Sequence, residues 1–73
     1  MLKIKDNFDL KELEKFGFKY NAETKHKNET YEVELKEGAI VVFIWNREIF
    51  AQDLDGLWDL IQAGLVEKIE ERN

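Results

Sequence analysis

The chain has 73 residues, a net charge of −5 and no Cys, a length that accommodates one small domain over residues 1–73. Without Cys there is no disulfide and no thiolate metal site, and without Ser as well, both Ser-based and Cys-based nucleophilic catalysis are excluded. No apolar run approaches the length of a membrane span and no signal peptide is evident, so we expect a cytoplasmic protein with no membrane partner.

The charge is unevenly distributed along the chain. Residues 1–27 carry seven Lys and five acids, whereas residues 28–73 carry four Lys or Arg and eleven acids. Phosphate binding needs clustered basic residues, and the nearest candidates are Lys19, Lys25 and Lys27 with His26. They surround a polar segment that we interpret as a solvated loop, so nucleic acid is not the expected partner.

The N-terminal part predicts a strand followed by a helix. Apolar and basic residues alternate over 1–5, which favours a short edge strand. A first helix is predicted over about 9–16, with Asp9 as its N-cap and Glu12 at the spacing of a capping box. Gly17 ends this helix, because glycine reaches the left-handed conformation without steric cost.

The middle of the chain predicts a three-stranded antiparallel meander over about 30–52. Alternation of apolar and polar residues indicates a strand over 30–36, and the run AIVVFIW indicates a central strand over 39–45. A two-residue turn at 37–38 would join them, and a second at 46–47 would lead to a short strand. These turns pair Val33 with Val42 and Phe43 with Phe50.

Alternation sorts the predicted sheet into two unlike faces. We assign the uncharged face to the core, and it comprises Tyr31, Val33, Leu35, Ile40, Val42, Ile44, Ile49 and Ala51. The opposite face combines apolar residues with three acids, and it comprises Val41, Phe43, Trp45, Phe50, Glu32, Glu34 and Glu48. Since two short helices cover only one face of such a sheet, this second face must be shielded by a terminal strand or by another molecule.

A second helix is predicted over about 54–63, with Asp53 as its N-cap. Its apolar residues recur at helical spacing and predict the face that packs on the sheet: Leu54, Leu57, Trp58 and Ile61. Gly64 ends the helix, and a last strand is predicted over 65–71.

Both predicted helices end in the same way. Segments LEKFGF (13–18) and LIQAGL (60–65) place apolar residues at the two positions that touch in a Schellman ending. The sequence therefore predicts an α+β fold, a mostly antiparallel sheet with both helices packed on one face.

Enzymatic chemistry has little support in the sequence. The paired acids Asp53 and Asp55 suit a helix N-terminus, and the pair Glu32 and Glu34 suits the solvated side of a strand. Asp53, Asp55 and Asp59 have only a superficial similarity to a calcium loop, because the glycine and the final glutamate of such a loop are not at the required positions. We therefore expect no enzymatic activity, no catalytic residues, no metal and no cofactor.

The two ends of the chain resemble a group of phage proteins. MLKIKDNFDLKELEKFGFKY (1–20) and LWDLIQAGLVEKIEE (57–71) are similar to small uncharacterised proteins encoded by phages and prophages of Gram-positive bacteria. The resemblance implies an accessory cytoplasmic role and no particular mechanism.

The function predicted from the sequence is a non-enzymatic protein-interaction module. We expect it to form a homodimer, or to bind a protein partner, through the aromatic sheet face. The alternative is a nucleic-acid-related regulator, either a winged-helix-like binder or an acidic decoy of a DNA-binding protein. The net negative charge opposes a winged-helix-like binder of nucleic acid. An acidic decoy does not need the aromatic residues that lie among the acids.

Overall fold

The computed structural model describes residues 1–22 and 28–69 and confirms the predicted α+β fold. Its elements in chain order are β1 (Leu2–Ile4), a 3₁₀ helix (Leu10–Phe16), β2 (Lys19–Asn21), β3 (Thr30–Leu35), β4 (Gly38–Phe43), β5 (Ile49–Ala51), α1 (Leu54–Gln62) and β6 (Val66–Lys68). The basic residues at 25–27 and the predicted end of the last strand at 70–71 lie outside the described residues.

The strands form two antiparallel sheets that meet at one point. The first sheet has the order β2-β3-β4-β5, so the predicted meander is present and β2 extends it to four strands. The second sheet consists of β1 and β6. The sheets are linked by a bridge between Lys3 and Glu48, and by the Ile4 amide, which donates to the Arg47 carbonyl at 2.9 Å.

The predicted register of the meander is wrong by two residues, although the predicted faces are right. Val33 pairs with Ile40 rather than Val42, because the tight turn falls at 36–37 rather than 37–38. Side chains alternate with a period of two, so a shift of two residues leaves each one on the same side of the sheet. Ile40 and Val42 are accordingly buried, and Val41 between them is partly exposed.

The connection between β4 and β5 is longer than predicted. β4 ends at Phe43, and the Arg47 amide donates to the Phe43 carbonyl at 2.8 Å to close a loop over 44–47. Arg47 adopts a left-handed conformation with φ of 64°. Phe50 consequently pairs with Val41 instead of Phe43, and Trp45 lies in the loop rather than in β4.

The core lies between the inner side of the sheets and the two helices. Its buried apolar residues are Ile4, Leu10, Leu13, Phe18, Tyr31, Ile40, Val42, Leu60 and Leu65. Four of the other residues predicted for the core face pack against this cluster while partly exposed, and they are Val33, Ile44, Ile49 and Ala51. Leu35, at the end of β3, is the exception because it is exposed.

Both helices end in the predicted Schellman geometry. The Phe18 amide donates to the Leu13 carbonyl at 3.2 Å, and the Gly17 amide donates to the Glu14 carbonyl at 3.1 Å. At the second helix the corresponding bonds run from Leu65 to Leu60 at 3.2 Å and from Gly64 to Ile61 at 3.0 Å. Gly17 and Gly64 have φ of 89° and 81°, so each end uses the conformation for which glycine is best suited.

The first helix differs from its prediction in type and in capping. It is a 3₁₀ helix, and the Asp9 carboxylate accepts from the Lys11 amide at 3.0 Å. The Glu12 carboxylate forms an ion pair with Lys15 in the next turn. Asp9 is therefore the N-cap, but its side chain bonds to Lys11 rather than to Glu12 as a capping box requires.

The predicted buried face of α1 is wrong in part. Leu60 is the buried residue of this helix, whereas Leu54 and Trp58 are 70% and 57% exposed. The side next to the sheet includes Gly56, where an added Cβ would lie 2.3 Å from Leu35 Cδ1 and 2.9 Å from Ile40 Cδ1. The close approach that glycine permits here turns the Leu54–Trp58 side away from the core.

Asp53 fixes the start of α1 and also connects it to the β3–β4 turn. This buried carboxylate accepts from the Gly56 amide at 2.7 Å and from the Glu37 amide at 2.9 Å. These backbone hydrogen bonds lower the pKa of Asp53, against the opposing effect of desolvation. The stability that Asp53 contributes is therefore present above the ordinary carboxyl pKa, and it is lost as the pH falls through the lowered pKa.

The contact at Gly56 gives a prediction for the variant Gly56→Ala. Alanine favours a helix by about 1 kcal/mol over glycine, whereas overpacking costs about 1–3 kcal/mol. Leu35 is exposed and can move, but Ile40 is 1% exposed and cannot. We expect a net loss of about 1 kcal/mol in the free energy of unfolding measured in urea.

The control for Gly56→Ala is Gln62→Ala, which alters an exposed position on the same helix. Its free energy of unfolding should stay within about 0.5 kcal/mol of the parent. A Gly56→Ala protein more stable than the parent would show that Ile40 is not in close contact with the helix.

Candidate protein-interaction surface

The side of the β2–β5 sheet opposite the core is the candidate site, and we call it the outer face. Strand pairing aligns Lys19, Glu32, Val41 and Phe50 in one row across it. A neighbouring row contains Asn21, Thr30 and Phe43, and the Phe43 amide donates to the Glu48 carbonyl at 3.0 Å. The outer face is thus polar over β2 and β3 and apolar over β4 and β5.

The apolar half of the outer face is formed by Val41, Phe43 and Phe50, which we call the aromatic patch. Val41 and Phe50 are directly opposite each other, and Phe43 is two residues further along β4. Phe50 is 59% exposed, while Val41 and Phe43 are partly exposed. Sequence analysis placed all three on this face, and the structure brings them together there.

Trp45 is not part of the aromatic patch, although the sequence pattern placed it there. It lies in the 44–47 loop and is 74% exposed. The surface around it is lined by Asn28, Glu29 and Ile44. Trp45 is therefore an exposed indole at the end of β4 rather than a member of a strand face.

An open groove of about 590 Å³ lies along β2 and β3, beside the polar half of the outer face. Its lining includes Lys19, Asn21, Glu32, Glu34 and Ala39. The Glu32 carboxylate accepts from Asn21 Nδ2 at 2.8 Å and from the buried Thr30 hydroxyl at 2.7 Å, so it is held in one orientation. Glu34 is exposed at the same border.

The third predicted acid, Glu48, is held at the other border of the patch. Its Oε2 accepts from Asn46 Nδ2 at 2.9 Å, and its amide donates to Asn46 Oδ1 at 3.0 Å. Hydrogen bonds of this kind, between side chains and backbone groups close in sequence, stabilise a turn. The structure therefore places acids on both sides of the aromatic patch.

Arg47 anchors the loop that carries Trp45 and precedes Glu48. Its Nη1 donates to the Lys5 carbonyl at 2.8 Å and to the Phe8 carbonyl at 2.5 Å, and its Nε lies 4.0 Å from Asp6 Oδ1. One guanidinium thus satisfies two backbone acceptors between β1 and the 3₁₀ helix. This contact joins the end of the outer face to the N-terminal segment.

Neither terminal strand, β1 or β6, covers the aromatic patch. β1 pairs with β6 and meets β5 through the bridge between Lys3 and Glu48, so these strands extend the sheet at its β5 side. The buried residues of both helices belong to the core on the inner side. Phe50 keeps its exposed ring in this arrangement.

The two tyrosines on the core side of β2 and β3 have raised pKa values. Burial raises the pKa of the Tyr20 hydroxyl first, and the hydrogen bond to Glu29 raises it further. Burial likewise raises the pKa of Tyr31, which packs edge-on against Tyr20 with ring centroids 5.8 Å apart. Within residues 1–22 and 28–69 no three acidic or His side chains are grouped as ligands for a metal ion.

Sequence reasoning missed a second exposed apolar surface, which lies on α1. Leu54 and Trp58 fit the helical spacing and were assigned to the core, yet both face solvent. Gly56 was the available signal, because a glycine within a helix indicates the side where a neighbour approaches closely.

Comparison of the chain with protein-family models, curated proteins and solved structures gave no match. In the part of the chain that the structure describes, no helix has the length and apolar character needed to cross a membrane.

The anchoring by Arg47 gives a prediction for Arg47→Lys. Lysine keeps the charge, but its ammonium lies one bond nearer the backbone than Arg47 Nη1, which donates to both carbonyls, so one backbone carbonyl loses its partner. We expect the free energy of unfolding in urea to fall by about 1–2 kcal/mol. The conservative change Lys19→Arg at an exposed site should stay within about 0.5 kcal/mol, and equal stability of the two variants would contradict the anchoring.

Proposed function

We propose that this protein is a non-enzymatic interaction module that self-associates through its outer face. The observation that carries the proposal is the 59% exposure of Phe50 beside Val41 and Phe43 on a sheet face away from both helices. Aromatic residues at the centre of a surface with charged groups at its border are typical of protein interfaces.

The acids at the border of the aromatic patch support an interface of defined orientation. Glu32 and Glu48 are held by hydrogen bonds within the protein, so they lose little conformational freedom when a partner binds. Charges at a border chiefly set orientation and association rate, while the desolvated centre supplies affinity.

The distribution of charge on the outer face supports a second copy as the partner. Lys19 lies at the β2 side of this face and Glu48 at the β5 side. A twofold axis through the aromatic patch, parallel to the strands, lays β4 of one copy over β5 of the other and stacks the two patches. In that arrangement Lys19 of each copy falls on the side of the interface where its partner carries β5 and Glu48.

Two accompanying parts of the proposal come from the sequence alone. The resemblance of both chain ends to phage and prophage proteins supports an accessory role in a bacterial cytoplasm. The absence of Ser and Cys excludes nucleophilic catalysis by these two residue types, which is compatible with a role in binding.

A nucleic-acid regulator is the weaker alternative. Helix α1 contains two Asp and no basic residue, which opposes its use as a recognition helix against phosphates. An acidic decoy would need carboxylates spaced along its surface, whereas the outer face intersperses them with apolar side chains. The observations therefore favour the interaction module.

Self-association can be tested by sedimentation velocity over a dilution series. We expect the parent to form dimers and Phe50→Ser to weaken the dimer about tenfold or more, because a central aromatic side chain is removed. Phe50 is exposed in the monomer, so the melting midpoint measured by circular dichroism should barely change at a concentration low enough for parent and variant both to be monomeric.

The matched control is Leu54→Ser, which removes an exposed apolar side chain from α1. It should leave the dimer intact. A parent that stays monomeric at every concentration, or a dimer disrupted as strongly by Leu54→Ser as by Phe50→Ser, would contradict self-association through the outer face.

A further inference from the structure

Helix α1 presents two large apolar side chains to solvent on the side away from the sheet. Leu54 and Trp58 are 70% and 57% exposed, and their spacing of four residues places them one above the other. The sheet side of the same helix holds Leu60, which is 2% exposed, and the close contact at Gly56. Leu54 and Trp58 thus form an apolar ridge that the core does not use.

Acidic residues border this ridge. At 100° per residue, Asp55 and Asp59 lie beside Trp58 on the outward side of the helix, on the flank away from Leu54. Residues 48–67 contain five acids and no Lys, Arg or His.

The lysine that borders the surface depression beside these acids, Lys36, does not balance their charges. The surface depression beside the acidic flank is lined by one lysine and four carboxylates, with two apolar positions: Leu35, Lys36, Glu37, Asp53, Asp55, Gly56 and Asp59. Asp53 is committed to the helix N-terminus through its bonds to the Gly56 and Glu37 amides. The remaining acids leave a negative field next to the ridge.

We infer that this surface of α1 is a docking site for a cationic amphipathic segment of another protein. Such a segment would place aliphatic side chains against Leu54 and Trp58 and Lys or Arg side chains against Asp55 and Asp59. Trp is one of the residue types enriched among the few residues that supply most of the affinity of an interface.

A second copy of α1 does not fit this surface. Two such helices side by side would bring four Asp together with no basic residue on either helix to compensate. The ridge differs in this respect from the outer face, which carries both signs of charge. The two surfaces therefore select different partners, and the α1 site does not depend on self-association.

The test uses Trp58 fluorescence in a Trp45→Phe background, because the chain contains two Trp and this change leaves Trp58 as the reporter. The probe is a synthetic peptide of repeated Lys-Leu-Leu-Lys units, titrated at low salt. We expect a saturable blue shift of the emission. A matched peptide with Ser in place of Leu should give no saturable shift, since charge alone does not desolvate the indole.

Variants separate the α1 surface from the outer face. Leu54→Ala should raise the dissociation constant about tenfold, and the double change Asp55→Asn with Asp59→Asn should raise it by a similar factor. Phe50→Ser should leave it unchanged. Melting curves serve as the folding control, and Leu54 and Phe50 are both exposed.

Three results would overturn the inference. The first is the absence of a saturable shift with the Leu peptide, and the second is equal binding of the Ser peptide. The third is that Phe50→Ser weakens peptide binding as much as Leu54→Ala does. That result would show that the peptide binds at the outer face.

Discussion

The packing of both helices against one side of the β2–β5 sheet is the constraint on which the rest of the structure depends. Each helix closes with the same pair of backbone hydrogen bonds around a left-handed glycine, at Gly17 and at Gly64. Each closure buries one apolar residue before the glycine and one after it, so the chain returns to the sheet on the core side. The helices are too short to cover a second face, and the outer face keeps its exposed apolar residues as a consequence.

Much of this fold could be predicted from the sequence because the informative patterns are local. Glycine at two helix ends predicted both Schellman endings, and alternation over β3 and β4 predicted which side chains face the core. The predicted faces are correct although the predicted register is wrong by two residues, because a shift of two residues leaves each side chain on the same side of the sheet. The conformation of Arg47 is not encoded in such a pattern, and it decides that Trp45 leaves the strand.

The side of α1 that contacts the sheet could not be predicted, for a physical reason. Hydrophobic periodicity identifies an apolar stripe, but close packing at Gly56 brings a different side of the helix against Ile40. Tertiary contact overrode the local pattern and left Leu54 and Trp58 exposed. The prediction from hydrophobic periodicity was therefore wrong for the side of α1 that forms the second exposed apolar surface.

The two apolar surfaces differ in the chemistry that surrounds them. The outer face carries Lys19 together with Glu32, Glu34 and Glu48, so its charges can complement those of a second copy. The α1 surface carries acids next to its apolar ridge and suits a cationic partner. A protein with both surfaces could hold itself together through the sheet while presenting two copies of α1, which would raise its avidity for a repeated target.

Self-association through the outer face can be measured most directly by following the methyl signals of two neighbouring valines by NMR across a dilution series. Val41 belongs to the outer face and Val42 is fully buried in the core, so the pair reports on the two sides of one strand. The account predicts that the Val41 methyl shifts change with concentration, because the Phe rings of a second copy approach them, while those of Val42 stay constant. Constant Val41 shifts, or changes confined to the methyls of Leu54 on α1, would contradict it.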